Sequence, residues 1–250
     1  ITLEANPTSF EARKFADFKQ AGINRISIGI QALNDSDLKF LGRNHSAQEA
    51  MEVIKKTADI FDNYSFDLIY CRSQQKLSDW KNELEEAIKL SPNHLSLYQL
   101  TIEKGTDFYQ QFQDKKFTLP DNNLAADFYE LTAEITDKNH MPAYEISNYA
   151  QAGFESQHNL NYWQGGDYLG IGAGAHSRIY FNGEPQRKSM IMLYKPAKWL
   201  ENSLGDKLPI QKTEVIDKKD LLVEILLMSL RLTSGLTQEM LDVHFEDLKI

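Results

Sequence analysis

Only one cysteine, Cys71, occurs in the 250 residues. A single thiol excludes an internal disulfide and any site that needs several cysteine ligands from this sequence. It fits a reducing compartment, so the expected location is cytoplasmic. No run of about 18 apolar residues occurs, which excludes a membrane-spanning helix of the usual kind; peripheral contact with a membrane surface stays open. The richest apolar stretch, LLVEILLMSL (221–230), is interrupted by Glu224 and reads as a buried helix. Positive charge is scarce too: 27 Lys and Arg against 36 Asp and Glu leave a net charge of −9. That argues against a nucleic-acid partner, because such binding neutralises phosphates with cations. No fixed-period repeat or low-complexity tract is present. Nor does a charged leader with an apolar core open the sequence. ITLEANP already reads as a buried strand, so the sequence is expected to be the later part of a longer protein.

What is present is an ordinary globular composition, 42% hydrophobic and 25% charged. Strand and helix patterns alternate. ITLEA (1–5), NRISIGI (24–30), YSFDLIY (64–70) and HLSLYQL (94–100) read as strands. Helices fall between them: from a Thr8 or Ser9 cap to Gly22, over 35–42, from a Ser46/Glu49 capping box to about Ile60, and from about Ser78 to near Pro92. After a turn at Lys104-Gly105, a helix follows Pro120-Asp121 and runs to about Lys138. PAYEIS (142–147) reads as a fifth strand, and 167–182 as one or two short ones. Helices recur near 194–203, 217–232 and 237–246. Four β–α units in series predict an α/β fold with a parallel sheet covered by helices, closing toward a barrel or an open twisted sheet. The working face of such a sheet lies at the carboxyl ends of its strands.

Several polar residues fall at those ends. Glu4 closes the first strand, Gln31 follows the second, Asp67 lies inside the third, Arg43 follows a short helix, and Thr101 and Glu103 follow the fourth strand. Taken singly, each serves equally well as a loop cap. Together they offer acceptors for hydroxyl and ammonium groups and a guanidinium for a carboxylate, which suits a small polar cofactor carrying an amino acid and a ribose. A carboxylate such as Asp67 among apolar neighbours requires a nearby donor.

GIGAGA (170–175) formally matches a dinucleotide-binding fingerprint, but the continuation HSRIYF is strand-like, whereas the fingerprint must open a helix. Interior glycines here imply close approach of the backbone to another backbone or to a ligand. His176 ends the run. Just upstream, HNLNYW (158–163) sets His158, Asn159 and Asn161 before Tyr162 and Trp163. Polar residues able to bind or ligate, set before two large aromatics, raise the question of a flat, partly apolar ligand with a metal at its centre. Equally, these side chains can tie down an irregular surface loop.

In order, ITLEANP, AGINRISIGIQ, LGRNHS, FDLIY, HLSLYQLTIEKGT, YEISNYA, HNLNYW and DYLGIGAGAHS resemble the radical S-adenosylmethionine (radical SAM) proteins related to oxygen-independent coproporphyrinogen III oxidase. The resemblance is closer to the HemW-type heme chaperones. It implies a partial TIM-like (βα)6 barrel, represented by about its last four βα units over 1–182. A connecting segment over 183–214 and the start of a helix-rich C-terminal domain over 215–250 would follow. It implies S-adenosyl-L-methionine, a 4Fe-4S cluster and heme as cofactors or ligands. The CxxxCxxC cluster motif and the glycine-rich motif of the first two units are absent from this sequence.

By resemblance, Glu4, Gln31, Arg43 and Asp67 match S-adenosylmethionine positions, as do Thr101 and His176 with changed side chains. His158, Asn159, Tyr162 and Trp163 match the heme pattern, with His158 as iron ligand. HNxxYW is a hallmark of the chaperone branch, so a protein that binds heme and passes it to acceptor hemoproteins is expected. The alternatives are an oxidase that decarboxylates the propionates of coproporphyrinogen III to give protoporphyrinogen IX, and a scaffold retaining neither task. One departure stands out. The family's Gly-Leu/Phe-Pro-Gly-Gln turn after FDLIY reads Cys71-Arg72-Ser73-Gln74-Gln75 here, without the glycines and proline that permit a tight turn. Gln75 keeps the glutamine, and Cys71 reads as a small free thiol.

Overall fold

Isoleucine at every second position of RISIGIQ is the pattern of a strand with one apolar face. The computed structural model describes residues 1–7, 12–90 and 93–245 and places that strand inside the first of two units, Ile1–Glu155 and Ser156–Ile250.

The first unit runs β1 (Thr2–Ala5), α1 (Ala12–Gln20), β2 (Arg25–Gln31), α2 (Asp35–Phe40), α3 (Ala47–Ile60), β3 (Tyr64–Tyr70), α4 (Leu77–Leu90), β4 (His94–Gln99), α5 (Asp107–Gln113), α6 (Asn122–Lys138) and β5 (Asn148–Ala150). The sheet order is β1-β2-β3-β4-β5. The first four strands are parallel, as expected, and β5 runs antiparallel to β4. Ser46 caps α3 in the expected box with Glu49. The Thr8 or Ser9 cap and the stop at Pro92 lie outside the described residues.

One face of the sheet is hydrocarbon. Ile26, Ile28, Ile30, Phe66, Leu68, Leu95 and Leu97 are buried and share a core with Val53 and Ile54 of α3, Trp80 and Leu84 of α4, and Phe128 of α6. Fully burying each such side chain contributes about 1.5–3 kcal/mol. Tyr70 stacks on Trp80 with ring centroids 5.0 Å apart, and the Trp80 indole N–H donates to Thr132 Oγ1 (2.8 Å).

The fifth strand differs from the expectation of 142–147. It lies at Asn148–Ala150, preceded by an isolated bridge between Ala143 and Tyr149. The cause is Glu145, which turns inward and accepts from the Ser147 N–H, the Ser147 hydroxyl and the Asn148 amide. That local acceptor holds YEIS in a polar turn instead of a ladder.

The second unit runs α7 (Gln157–Trp163), β6 (His176–Tyr180), β7 (Arg187–Met192), α8 (Pro196–Leu204), β8 (Ile210–Val215), α9 (Lys218–Ser229) and α10 (Gln238–Asp242). β6, β7 and β8 form an antiparallel sheet, so 183–214, expected as a connection, supplies two of its three strands. The unit boundary accordingly falls at Glu155/Ser156 and not near 182 or 215. α9, expected to be buried, is buried on one side only: Leu221 and Ile225 join a small core, while Val223, Leu227 and Leu230 are exposed. Among the described residues no helix is long and apolar enough to cross a membrane.

Candidate functional site

The second face of the first unit's sheet is polar, because the residues between the isoleucines are Arg25, Ser27 and Gly29. The same alternation puts Ser65 and Asp67 on β3, and His94, Ser96 and Tyr98 on β4, on that face. Register aligns Glu4 with Ser27, Ser27 with Ser65, and Asp67 with Ser96. A hydrogen-bonded row crosses the strands. Arg25 Nη2 donates to Ser65 Oγ (2.7 Å), Ser65 to Ser27 Oγ (3.0 Å), and Ser27 to Asp67 Oδ1 (3.4 Å). Burial pushes the Asp67 carboxyl up to about 6, and Glu4 adds to the rise; hydrogen bonds from Ser96 and Ser27 and the charge of Arg25 oppose it. His94 is fully buried, its Nε2 is 2.9 Å from the Tyr144 hydroxyl, and burial with Arg25 nearby drives it down to about 3.

Gln31 ends β2 in the left-handed region (φ 77°), and its side chain folds back over Gly29. A Cβ on Gly29 would lie 2.9 Å from Gln31 Nε2 and 3.4 Å from Asn6 Oδ1. Glu4, Gln31 and Asp67 therefore share one face of the sheet. Arg43 follows α2, past the left-handed Gly42, and Thr101 follows β4, its hydroxyl donating to the Gln99 carbonyl. The acceptors Glu4, Asp67 and Gln31 suit the ammonium and ribose hydroxyls of S-adenosylmethionine, and the Arg43 guanidinium suits a carboxylate. His176, grouped with these residues by sequence, lies in the second unit.

The altered turn after β3 is built without glycine. Cys71 (φ 60°) and Gln74 (φ 58°) both adopt the left-handed conformation that glycine normally occupies. Gln75 closes the turn by accepting from the Arg72 N–H (3.1 Å). Arg72, 1% exposed, ties the loop down through Asp37 Oδ2 (2.8 Å) and Glu83 Oε2 (2.5 Å), while Glu83 also accepts from the Leu33 N–H (2.7 Å).

In the second unit, HNLNYW is helical. The Ser156 hydroxyl caps α7 by accepting from the Asn159 N–H. Residues four apart share a helix face, and the His158 ring meets the Tyr162 ring edge-on at 4.7 Å. Tyr162 in turn meets Tyr168 edge-on at 4.5 Å. These aromatics, with Trp163, line a cavity of about 650 Å³. Its remaining wall includes Leu169, Ile171 and His176 from the glycine-rich hairpin and Leu227 and Met228 from α9. The volume falls within the range of small-molecule and cofactor sites.

The hairpin is held by paired hydrogen bonds between Tyr168 and Arg178, and GIGAGA is a turn leading into β6, not into a helix. Arg178 is clamped by Glu224, with Nε 3.1 Å and Nη2 3.0 Å from carboxylate oxygens; this bond raises the Arg178 pKa further. Arg187 bonds Asp167 Oδ1 (3.1 Å) and the Gly166 carbonyl (2.7 Å). Asn161 donates to the Asp167 carbonyl (3.1 Å), a structural task beside the cavity. Arg231 lies over the Trp163 ring, 4.5 Å from its centroid.

Of the four residues that sequence assigns to heme, His158, Tyr162 and Trp163 line this cavity and Asn159 does not; His176, assigned by sequence to S-adenosylmethionine, lines it, and Tyr168, Arg178, Leu227 and Met228, which reach it only through tertiary contacts, were not singled out. The polar row of Arg25, Ser27, Ser65 and His94 was visible as the complement of the apolar alternation. For a 4Fe-4S cluster the described residues do not fit. Cys71 is buried and alone, and no group of three or more His, Cys, Asp or Glu side chains is placed to hold a metal ion.

Comparison with known proteins bears on family and fold. Residues 1–87 match the model of the Radical SAM superfamily. Radical S-adenosyl methionine domain-containing protein 1, mitochondrial, of Mus musculus is 38% identical over 242 residues, covering 96% of this chain and 55% of that protein. The heme chaperone HemW of Escherichia coli (strain K12) is 42% identical over 182 residues, covering 72% of this chain and 47% of that protein. The chain thus spans about half the length of these curated relatives. Among solved structures, coproporphyrinogen III oxidase (HemN) from Escherichia coli superposes with a TM-score of 0.73 at 18% identity, covering 93% of this chain and 55% of that one, which establishes the likeness of fold. The chain belongs to the radical SAM superfamily, in the group that includes HemW and HemN.

Proposed function

We propose that this chain carries the heme-holding part of a heme-transfer protein, with heme as its cargo. The observation that carries the reading is the cavity of the second unit. HNLNYW presents His158, Tyr162 and Trp163 to it from one helix, and apolar Leu169, Ile171 and Leu227 complete a site for a flat hydrophobic molecule. His158 supplies an imidazole to the iron, and the edge-on Tyr162 ring sets its orientation. Asn159 lies on the same helix turn as a polar neighbour. A relative named as a heme chaperone shares 42% identity with this chain over about half its own length. Acceptor hemoproteins are the proposed destination.

The polar face of the first unit is the proposed S-adenosylmethionine site, with Glu4, Gln31, Asp67, Arg43 and Thr101 as its contacts. When bound, the sulfonium nucleotide supplies either a source of a radical or a structural ligand. What this chain's residues do is hold it: acidic acceptors toward the cation, Arg43 toward the carboxylate. The coproporphyrinogen oxidase reading has likeness of fold in its favour and no residue in this chain that selects it over the chaperone.

The test is titration of the 250-residue chain with hemin. A saturable Soret change is expected in the wild type, together with clear weakening in His158→Ala. Equal affinity in both would defeat the assignment of His158. Anaerobic conversion of coproporphyrinogen III by the whole protein would turn the reading toward the oxidase.

A further inference from the structure

We infer that His176 is a second axial ligand for heme iron in the cavity that presents His158, so that the iron takes one imidazole on each face of the porphyrin. This rests on the reading of that cavity as a heme site.

The six histidines divide by what their rings do. His45 Nε2 bonds the Ile30 carbonyl (2.9 Å), and His94 bonds Tyr144 (2.9 Å). His244 bonds both the Gly165 carbonyl and the Tyr180 hydroxyl, each at 3.1 Å. These three are structural. Among the described residues His140, His158 and His176 have no side-chain hydrogen bond. His140 sits in a left-handed turn after α6 and does not line the cavity, whereas the other two do. Two of the three rings without a hydrogen bond thus stand on the cavity wall.

His176 is also fixed in place by its backbone. It pairs with Ile191 across β6 and β7, and Gly170 packs against it on the other side, so closely that a Cβ there would lie 2.2 Å from the His176 carbonyl oxygen. The next residue, Ser177, is fully buried and accepts from the Gly170 N–H (3.0 Å). Alternation along β6 then turns His176 and Arg178 to the opposite face, and both line the cavity. An imidazole on a strand pinned from both sides is preorganised, as a ligand on rigid secondary structure should be.

The metal chemistry agrees. Two imidazoles are too few to hold a bare ion, but a porphyrin brings four nitrogens of its own and leaves only the axial positions to the protein. The competing donor in the cavity is the Met228 thioether on α9, since sulfur also binds heme iron.

The experiment loads the 250-residue chain with hemin and records optical and electron paramagnetic resonance spectra of the wild type, His176→Ala, His176→Gln, His158→Ala and Met228→Leu. His176 is exposed, so its replacement removes little packing, and two variants guard against a folding artefact. The expected wild-type spectrum is six-coordinate, low-spin and bis-imidazole. Both His176 variants should bind hemin in a high-spin form that added imidazole returns to low spin, and Met228→Leu should match the wild type. A low-spin bis-imidazole spectrum surviving in both His176 variants overturns the inference. So does a change confined to Met228→Leu, or a five-coordinate wild type; in these cases hemin still binds and the heme reading stands. Failure of the wild type to bind hemin saturably overturns both.

Discussion

Gly170 and His176 touch backbone to backbone: a Cβ added at Gly170 would meet the His176 carbonyl oxygen at 2.2 Å and its amide nitrogen at 2.9 Å. No side-chain rotation relieves a clash between main-chain atoms. Gly170→Ala should therefore destabilise the second unit by about 2–3 kcal/mol and weaken hemin binding with it. Chemical denaturation monitored by tryptophan fluorescence reads the first effect, and an unchanged midpoint would show that the hairpin closes differently.

Gln74 is the cleanest place to relieve strain. It is exposed and left-handed, a conformation that costs a non-glycine residue about 1–2 kcal/mol. Glycine gives back part of that gain through its freer unfolded chain. Gln74→Gly should stabilise the first unit by about 0.5–1 kcal/mol. Cys71→Gly should gain less, because the buried thiol's packing is lost as the strain is removed. A lower urea midpoint for Gln74→Gly would contradict this account.

Arg72 is a buried cation shared by Asp37 and Glu83. Removing it leaves Glu83, itself nearly buried, without its counter-charge. Arg72→Ala is expected to cost about 3–5 kcal/mol. The double replacement Arg72→Met with Glu83→Gln should recover much of the loss. Thermal unfolding of the two variants decides between a charge effect and a packing effect.

Half-buried Asp67 and fully buried His94 give stability opposite slopes with pH. The Asp67 carboxyl, raised from 3.8 to about 6, holds its proton more tightly in the folded state. Its contribution is complete below about pH 4 and is lost as pH rises through 6. His94, lowered from 6.5 to about 3, is neutral when folded and protonates on unfolding. Its contribution is complete above about pH 6.5 and is lost as pH falls toward 3. Asp67→Asn removes the first slope, so stability of that variant should climb more steeply between pH 4 and 6.5 and exceed the wild type by about 3 kcal/mol at pH 7. Parallel profiles for the two proteins in urea titrations would refute the shift at Asp67.

Much of the fold was legible where its causes are local. The Ser46/Glu49 box marks the start of α3 because a cap is made by residues three apart. The four parallel strands announce themselves by apolar alternation. Elements whose cause is tertiary were not legible. β7 and β8 carry charges on RKSMIM and IQKTEV that read as loop, and they pair only because the sheet brings them together. α7 has no apolar period to reveal a helix of seven residues; its evidence is the Ser156 cap. At the site, HNLNYW named one wall of the cavity, and the glycines of GIGAGA foretold a close backbone approach, realised between Gly170 and His176. Met228 and Leu227 carry no such mark, since an apolar residue on an apolar helix looks the same facing core or cavity.

The two chemically unlike faces of the first unit's sheet proofread its alignment. Sliding β3 one position against β2 would drive Asp67 and Ser65 into the oily layer beneath the helices and lift Phe66 and Leu68 among Arg25 and Ser27. A misthreaded sheet would strand a charge without water and hydrocarbon without cover at once. The polar row proposed to meet a ligand is thus also what leaves the growing sheet a single way to close.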